Sequence, residues 1–354
     1  MTGTAESEAS GETSDGIPPA AEAIAASPSS AGARALDLIS RRRETSIAFV
    51  AVVLIAYFWI SVDSFGTAAN FKVITQFTAS VAILAIAQVM NLVAGEIDLS
   101  LGHIYALAPL LMWKATDWGW PLLLAVVFGL AGAALVGLVN GVITVMTGVP
   151  SFITTLGMLF FLQGFNVRLS EGYPKPAPTG TLADWLGGAD LSRYMWSGFA
   201  WAVGFTVLLH ILLTNTRWGV YTVATGGNPI GAREAGVLTR RIKIGNFMLA
   251  ATLAGFSGIS EGIRIASLDP LAGGSQLMFY GVAAAVIGGT ALAGGSGTII
   301  GAFLGAVVLG VLRDGLVIGG SSTNTFNMIL GGAIIAAMIL NVAANRVRLR
   351  LRKT

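Results

Sequence analysis

The sequence predicts an all-α, polytopic membrane protein with about ten transmembrane helices. Of its 354 residues, 54% are hydrophobic and only 11% are charged, and the mean hydropathy is +0.75. In an ordinary soluble domain about 25% of the residues are charged. A soluble protein of this size cannot keep so much apolar surface from water, whereas a lipid bilayer solvates it.

Ten apolar stretches follow one another from residue 46 onward, separated by short polar segments or by segments with glycine and proline. A helix needs about 20 residues to cross the hydrocarbon core. Two stretches are short, and short segments interrupted by glycine are typical of broken membrane helices, so discontinuous or re-entrant elements are expected. The predicted spans are 46–62, 73–94, 99–113, 120–146, 150–168, 194–214, 243–264, 277–291, 298–316 and 326–343.

The composition changes at both ends of the apolar region. Residues 1–44 are rich in Ala, Ser, Gly, Pro and Glu, and they lack the basic start and apolar core of a signal peptide. We expect them to form a disordered cytoplasmic tail. Residues 45–343 then form the membrane domain, and residues 344–354 form a basic cytoplasmic tail.

The positions of Lys and Arg predict the orientation, because short cytoplasmic segments of membrane proteins are enriched in both. With the N-terminus inside and ten alternating spans, 14 of the 21 basic residues are cytoplasmic: four before the first span, five at 217–243 and five at 346–353. Both termini are then cytoplasmic. This placement also explains the net charge of +3, and no nucleic-acid partner is needed to account for it.

Composition excludes several kinds of site. The chain has no cysteine and two histidines, too few for thiolate metal sites, disulfides or a histidine metal cage. It contains no HExxH motif, no Ser/His/Asp set and no aspartate-rich motif, so we expect neither a catalytic nor a metal site. It also lacks the Gly-Lys pair of a phosphate-binding loop.

The first functional segment is GEIDLSLG, residues 95–102, between two apolar stretches. Placing its carboxylates, Glu96 and Asp98, at membrane depth costs free energy, so one interpretation puts them against a cavity, a partner or water. The other interpretation is a loop at the membrane surface. Composition favours neither.

The second segment, residues 226–237, is predicted to be cytoplasmic. Gly226 and Gly227 permit a tight turn, Asn228 suits a helix cap and Pro229 suits the first helical position. We therefore expect a short helix over about 229–235, ended by Gly236. Taken alone, the pattern is equally consistent with an ordinary amphipathic connector.

The third segment, GGTALAGGSGTIIGA, covers residues 288–302. So many glycines prevent an undisturbed helix. Irregular backbone within a membrane is tolerated only where protein or water covers it. The preferred interpretation is a broken or re-entrant element that faces a path through the protein.

In this order and spacing, the three segments closely resemble the ribose-type permease family of bacterial ABC sugar importers, within the branched-chain transport superfamily. That family carries a GGIDLS-like motif, a GGN…AAR…G motif and a GGT.L.GG.GT..G motif, which correspond here to Gly95–Gly102, Gly226–Gly236 and Gly288–Gly301. Asn140-Gly141 and Val149–Gly157 are also similar to the family pattern. The resemblance covers about residues 45–343. It departs at Glu96, where the family usually has a second glycine.

The resemblance implies a permease subunit, and not an enzyme, that moves a sugar (a pentose or hexose) or a polyol across the bacterial plasma (inner) membrane. It implies four kinds of partner: a second permease copy forming a homodimer, two ABC ATPase subunits or one fused tandem ATPase, an extracytoplasmic sugar-binding protein, and the lipid bilayer. No cofactor is expected in this chain, because the partner ATPase binds ATP and Mg²⁺.

Two sets of site residues are expected, the first from the residues themselves, with helix–helix hydrogen bonding as the alternative for Asn91, and the second as what the resemblance implies. The substrate path is expected at Asn91, Gly95, Glu96, Asp98, Ser100, Gly288, Gly289, Thr290, Gly294 and Gly295. The ATPase-coupling set is Asn228, Pro229, Ala232, Arg233, Glu234 and Gly236.

Two alternatives remain from sequence. A permease for branched-chain amino acids shares the general architecture, although the GEIDLS and GGTALAGG wording favours the sugar group. A stand-alone, ion-coupled secondary transporter is the rival from another class, and it needs neither an ATPase nor a binding protein.

Overall fold

A computed structural model describes residues 43–322 and 324–335, which form a bundle of helices. The helices are α1 (Arg43–Ser61), α2 (Ala68–Val93), α3 (Leu101–Asp117), α4 (Leu122–Thr147), α5 (Ser151–Leu169), α6 (Thr181–Ala183), α7 (Ser197–Asn215), α8 (Arg217–Gly227), α9 (Pro229–Glu234), α10 (Thr239–Arg264), α11 (Gly274–Ile287), α12 (Ile299–Ile318) and α13 (Asn324–Ile335). A π-helix spans Asp184–Gly188. The strands are β1 (Lys175–Pro176), β2 (Asp190–Ser192), β3 (Met195–Trp196) and β4 (Ser267–Leu268).

Each of the ten predicted spans overlaps one of these helices. Among the described residues, seven helices are long and apolar enough to cross a bilayer, namely α1, α2, α4, α5, α7, α10 and α12. The two short stretches correspond to α3, with 17 residues, and α11, with 14. At 1.5 Å per residue α11 is roughly 21 Å long, less than the ~30 Å of hydrocarbon. The prediction of an all-α polytopic membrane protein is confirmed.

The two predicted tails lie outside the described residues, except that Arg43 and Glu44 begin α1. The same holds for the last part of the predicted span 326–343, of which the structure describes residues 326–335. The tail assignments therefore stay predictions.

Helices α2 and α10 form the centre of the bundle. In their most apolar windows 72% and 67% of the residues are buried, against 17–28% for α1, α4, α5 and α7. The apolar side chains that the outer helices expose suit contact with lipid, whose hydrocarbon chains solvate them. Any functional group on the buried faces of α2 or α10 is therefore inside the protein.

Local sequence explains where several helices begin and end. The Thr67 hydroxyl accepts a hydrogen bond from the backbone N–H of Asn70 at the start of α2. The Thr298 hydroxyl accepts one from Gly301 at the start of α12, with an N···O distance of 2.8 Å. Both are N-caps, which satisfy N–H groups that a helix leaves unpaired. Helix α4 ends at Gly148, whose φ of +73° favours glycine.

The bundle has two distinct ends, because α2 and α10 run antiparallel, with the start of each helix bonded to the end of the other. At one end, which we call the motif end, α2 finishes and α10 begins. At the other, which we call the loop end, β1 pairs with β4 and β2 pairs with β3, both antiparallel. The long segment 169–193 lies at the loop end, where Lys72 of α2 pairs with Asp190 at an N···O distance of 2.5 Å.

Candidate functional site

All three glycine-rich segments meet at the motif end. A Cβ added to Gly226 would lie 1.9 Å from a backbone oxygen of α2. One added to Gly294 would lie 3.0 Å from the Cα of Gly95, and one added to Gly295 would lie 2.6 Å from the Cα of Gly227. We call these five residues the glycine junction. Here three backbones pack against each other, and no side chain fits at Gly226, Gly294 or Gly295 without displacement of a neighbouring backbone.

The junction needs glycine for its backbone angles as well as for its packing. Gly95, Gly294 and Gly295 have φ values of +81°, +85° and +74°, in the left-handed region that glycine adopts at low cost. The N–H of Gly295 donates a hydrogen bond to the carbonyl oxygen of Val93, with an N···O distance of 2.9 Å. The third segment is thus tied to the end of α2.

The segment between α2 and α3 is irregular, yet several of its backbone donors are satisfied inside the protein. The N–H of Glu96 donates to the carbonyl of Asn91. The N–H groups of Ile97 and Leu99 donate to the hydroxyls of Ser151 and Thr155, with N···O distances of 3.1 and 3.0 Å. Irregular backbone inside a membrane protein requires such partners. Two segments that resemble the family pattern, Val149–Gly157 and Gly95–Gly102, are thus bonded to each other.

Asp98 is fully buried within this segment. Its Oδ1 accepts hydrogen bonds from the backbone N–H and the hydroxyl of Ser100, at 2.8 and 2.6 Å. The Asn140 side-chain amide donates to the Ser100 hydroxyl at 2.9 Å and to Asp98 Oδ2 at 3.4 Å. Burial raises the pKa of the Asp98 carboxyl to about 6, against the lowering effect of these hydrogen bonds. Asp98 is therefore held inside the protein, with its carboxylate bonded to protein groups and not exposed to solvent.

Glu96 forms an ion pair with Lys243 in the first turns of α10. The side chains of Glu96 and Lys243 are 10% and 23% exposed, so the pair is largely shielded from solvent. The residue that departs from the family pattern thus binds a basic side chain of the same protein. From sequence, Lys243 indicates only the orientation of the chain in the membrane.

The short helix predicted over about 229–235 is present as α9. The Asn228 side chain accepts a hydrogen bond from the N–H of Gly231 at 3.0 Å, and Pro229 occupies the first turn. Gly236, with a φ of +84°, follows the helix. The cap, the proline and the terminal glycine act as the sequence indicated.

Helix α9 presents its charged side chains to the surface. Ala232 is buried, while Arg233 and Glu234 are exposed. The Nε of Arg233 donates to the carbonyl of Pro229 at 3.1 Å, which orients the guanidinium along the helix. The predicted coupling residues therefore form one compact surface element.

A cleft of about 310 Å³ is lined by α9 and the beginning of α10 and by the end of α4 with the connection to α5. Arg233, Arg240 and Lys243 contribute three cations to its wall, and Glu96 contributes one carboxylate. Since Glu96 is paired with Lys243, the two arginines give the cleft its positive charge. Residues of the predicted path and coupling sets therefore share one cleft.

The third segment is broken as predicted, between the end of α11 at Ile287 and the start of α12 at Ile299. Its first glycine has a packing role, because a Cβ on Gly288 would lie 2.5 Å from the backbone of Gly301. Thr290 is fully buried, and its hydroxyl has no hydrogen-bond partner among the described residues. Of the predicted path residues in this segment, Gly294 and Gly295 thus lie in the junction, Gly288 lies at a helix contact, and Thr290 places a buried hydroxyl between them in the chain.

Two side-chain amides of α2 are also buried without partners in the described part of the chain. Both polar atoms of Gln88 and both of Asn91 lack hydrogen bonds there, and these residues are 1% and 0% exposed. An unsatisfied buried polar group costs about 1–3 kcal/mol. Such groups call for an explanation, and a ligand or another state of the protein that satisfies them is one.

Sequence reasoning missed a polar contact between three helices. Asn246 of α10 is fully buried, and its side chain bonds to Trp218 and Thr222 of α8 and to the backbone of Met90. The only signal was its three-residue spacing from Lys243, which places both on one face of a helix. From sequence, Trp218 indicates only an aromatic side chain near a span end.

A bundle of apolar helices, broken at glycine-rich segments and carrying a charged surface helix at one end, defines a polytopic membrane permease. The chain belongs to the family described as branched-chain amino acid transport system / permease component, whose profile matches residues 70–338. No solved structure matches the chain.

Curated relatives extend over most of the protein. The chain is 36% identical to the xylose/arabinose import permease protein XylH of Sulfolobus acidocaldarius, over 89% of each chain. It is 35% identical to the ribose import permease protein RbsC of Escherichia coli, over 82% of this chain and 90% of the relative. It is 31% identical to the fructose import permease protein FrcC of Rhizobium meliloti, over 81% and 82%. These relatives confirm the resemblance to ribose-type permeases, which are transport subunits and not enzymes.

Proposed function

We propose that this chain is the membrane-spanning subunit of an ABC importer that translocates a pentose, a hexose or a polyol. The observation that carries the proposal is its similarity, over most of the chain, to import permeases named for xylose, arabinose, ribose and fructose. The broad description of the family mentions branched-chain amino acids, but these three relatives are named for sugars.

The motif end faces the cytoplasm in this proposal, and both termini are cytoplasmic. The support is the concentration of basic residues in 217–243 at that end, which follows the positive-inside rule. The loop end, with segment 169–193, then faces outward, where an extracytoplasmic sugar-binding protein delivers the substrate.

Helix α9 docks into a cytoplasmic ATPase, which binds ATP and Mg²⁺. The complex contains two ATPase subunits or one fused tandem ATPase, together with a second copy of this chain. The exposed Arg233 and Glu234 suit such a contact, because charged groups at an interface set the register of two partners. The cap at Asn228 and the glycine at Gly236 fix the length of the docking element.

The glycine junction transmits docking to the substrate path. Gly226, at the end of α8, touches the segment that carries Gly95 through Ser100, and it also touches Gly294. A displacement of α8 and α9 therefore displaces two of the three motif segments directly. Asn91 and Thr290 supply buried polar groups without partners in the described residues, and in the transporting state they face the hydroxyl groups of the substrate.

The transport activity is tested in proteoliposomes that contain this chain, its ATPase and its binding protein. We expect uptake of at least one radiolabelled sugar from a panel of D-xylose, L-arabinose, D-ribose and D-fructose, dependent on ATP supplied to the ATPase. Leucine uptake by the same complex would favour the amino-acid alternative. Sugar uptake by the chain alone, driven by an ion gradient, would contradict the proposal.

The docking role predicts that Arg233→Glu abolishes ATP-dependent uptake. The substitution reverses the charge of an exposed α9 residue without affecting a buried contact. Co-purification of the ATPase with the membrane protein measures docking directly. Arg241→Glu is the matched control, because Arg241 is also exposed at the motif end but does not line the cleft. If Arg233→Glu retained both ATPase binding and uptake, α9 would not be the docking helix.

A further inference from the structure

The buried side-chain amide of Asn246, on α10, forms hydrogen bonds with residues of α2 and α8. Its Oδ1 accepts a hydrogen bond from the indole N–H of Trp218, at 2.8 Å. Its Nδ2 donates to the carbonyl oxygen of Met90, at 3.0 Å, and to the hydroxyl of Thr222, at 3.3 Å. Both polar atoms of this buried amide are satisfied, and the partners lie on α2 and α8.

The indole ring of Trp218 also packs against the backbone of α10. A Cβ added to Gly245 would lie 2.4 Å from the six-membered ring of Trp218, so the ring packs directly on the backbone of α10. The hydrogen bond to Asn246 and this contact fix the position of α8 against α10. Glycine at 245 leaves the space that the ring fills.

Helix α8 leads directly into the proposed docking helix. It ends at Gly227, and α9 begins at Pro229 with only Asn228 between them. The N–H of Asn228 donates to the carbonyl of Ala224 within α8, at 3.0 Å. The two helices are therefore consecutive, and we call them the arm, with α9 at its tip and Trp218 near its other end.

The Met90 carbonyl that Asn246 binds lies in the last turn of α2, next to Asn91. A side-chain bond to this carbonyl attaches α10, and through it α8, to the end of α2. Low local dielectric strengthens such buried bonds. Asn246 thus joins the arm to the part of α2 that carries the buried amides.

We propose that Asn246 is a positioning residue that makes the α8–α9 arm and the end of α2 move as one unit, so that displacement of the docking helix reaches the substrate path. The inference rests on the proposed docking role of α9. Asn246 is fully buried, so it offers no surface to the ATPase. Its effect is exerted through Trp218, Thr222 and Met90.

The first test is Asn246→Leu in the reconstituted complex with its ATPase and binding protein. The substitution keeps a similar volume and removes all three bonds. We expect the ratio of sugar transported to ATP hydrolysed to fall about fivefold or more, which is the usual range for coupling between two sites, while the ATPase remains bound. Thr252→Val is the control on the same helix, because the Thr252 hydroxyl bonds to Met248 of α10 itself, and its ratio should not change.

If Asn246 only stabilises the protein, its substitution leaves the position of the arm unchanged. A distance measurement therefore separates a stabilising role of Asn246 from a positioning role. The chain has no cysteine, and spin labels can be placed at Val220→Cys on α8 and at Val73→Cys near the start of α2, both exposed. Because Val73 lies at the loop end, this pair reports the movement of α8 relative to α2 as a whole helix. We expect the distance between the labels to stay constant between the nucleotide-free and ATP-trapped complexes. In the Asn246→Leu background it should shift or broaden in the trapped state.

Trp218→Phe provides a milder variant if Asn246→Leu does not assemble, because it removes one hydrogen bond and keeps most of the ring packing. We expect it to lower the transport ratio and broaden the label distance in the same direction. An unchanged ratio and an unchanged distance in either assembled variant would overturn the positioning role. Failure of the docking proposal is seen separately, as ATPase binding and uptake that are both retained in Arg233→Glu.

Discussion

Alanine at position 226 is expected to destabilise the protein by about 3 kcal/mol or more and to abolish transport, although it adds only one methyl group. The Cβ would lie 1.9 Å from the carbonyl oxygen of Val93 and 2.8 Å from the backbone nitrogen of Gly295. Overpacking of a core typically costs about 1–3 kcal/mol when side chains can shift. Here both obstacles are backbone atoms, so relief requires separation of α8 from the junction.

Thermal unfolding of the detergent-solubilised protein measures this effect, with uptake as the functional readout. Gly164→Ala is the matched control, because Gly164 lies in α5 with nothing within 4 Å of an added Cβ. Alanine in an open helical position is favoured over glycine by up to about 1 kcal/mol. Equal melting temperatures of the two variants would show that the junction is not tightly packed.

The helical bundle could be predicted well from sequence, because lipid contact and helix ends depend on local residues. Apolar stretches indicate the spans, and the cap at Asn228 with Pro229 indicates α9. The break at 288–298 follows from its glycine content, since glycine disfavours the helix wherever it packs. These features require no knowledge of which segments are neighbours.

The site could be predicted only in part, because its contacts join residues far apart in the chain. Ile97 and Ser151 are 54 residues apart, and Lys243 and Glu96 are 147 apart. A single sequence carries no signal for such pairs. It therefore predicts path and coupling residues as two separate sets, whereas the structure brings Glu96 of the first set and Arg233 of the second to the wall of one cleft.

The burial of Asp98 is also not predicted by the sequence, because one of its hydrogen-bond partners, Asn140, is distant in the chain. Asp98→Ala should destabilise the protein by about 3 kcal/mol and abolish uptake, because each buried donor left without a partner costs about 1–3 kcal/mol. The substitution removes the carboxylate that accepts hydrogen bonds from the Ser100 N–H, from the Ser100 hydroxyl and from the Asn140 side-chain amide. Asp98→Asn keeps an acceptor oxygen for Ser100 and should be much milder in the same thermal unfolding and uptake measurements.

The dependence of stability on pH distinguishes the charge of Asp98 from its hydrogen bonds. Burial raises the pKa of this carboxyl from 3.8 to about 6 in the folded protein, so between these values the folded state binds more protons at this site than the unfolded state does. The contribution of Asp98 to the free energy of unfolding is therefore greatest below the unfolded pKa and falls as the pH rises through about 6. The amide of the Asp98→Asn variant does not titrate, so the stability of the wild type relative to that variant should decrease between pH 3.8 and about 6. If the difference in melting temperature between the wild type and Asp98→Asn stays constant over this interval, Asp98 has the same pKa in the folded and unfolded states. Its hydrogen bonds with Ser100 and Asn140 then offset the effect of burial on that pKa.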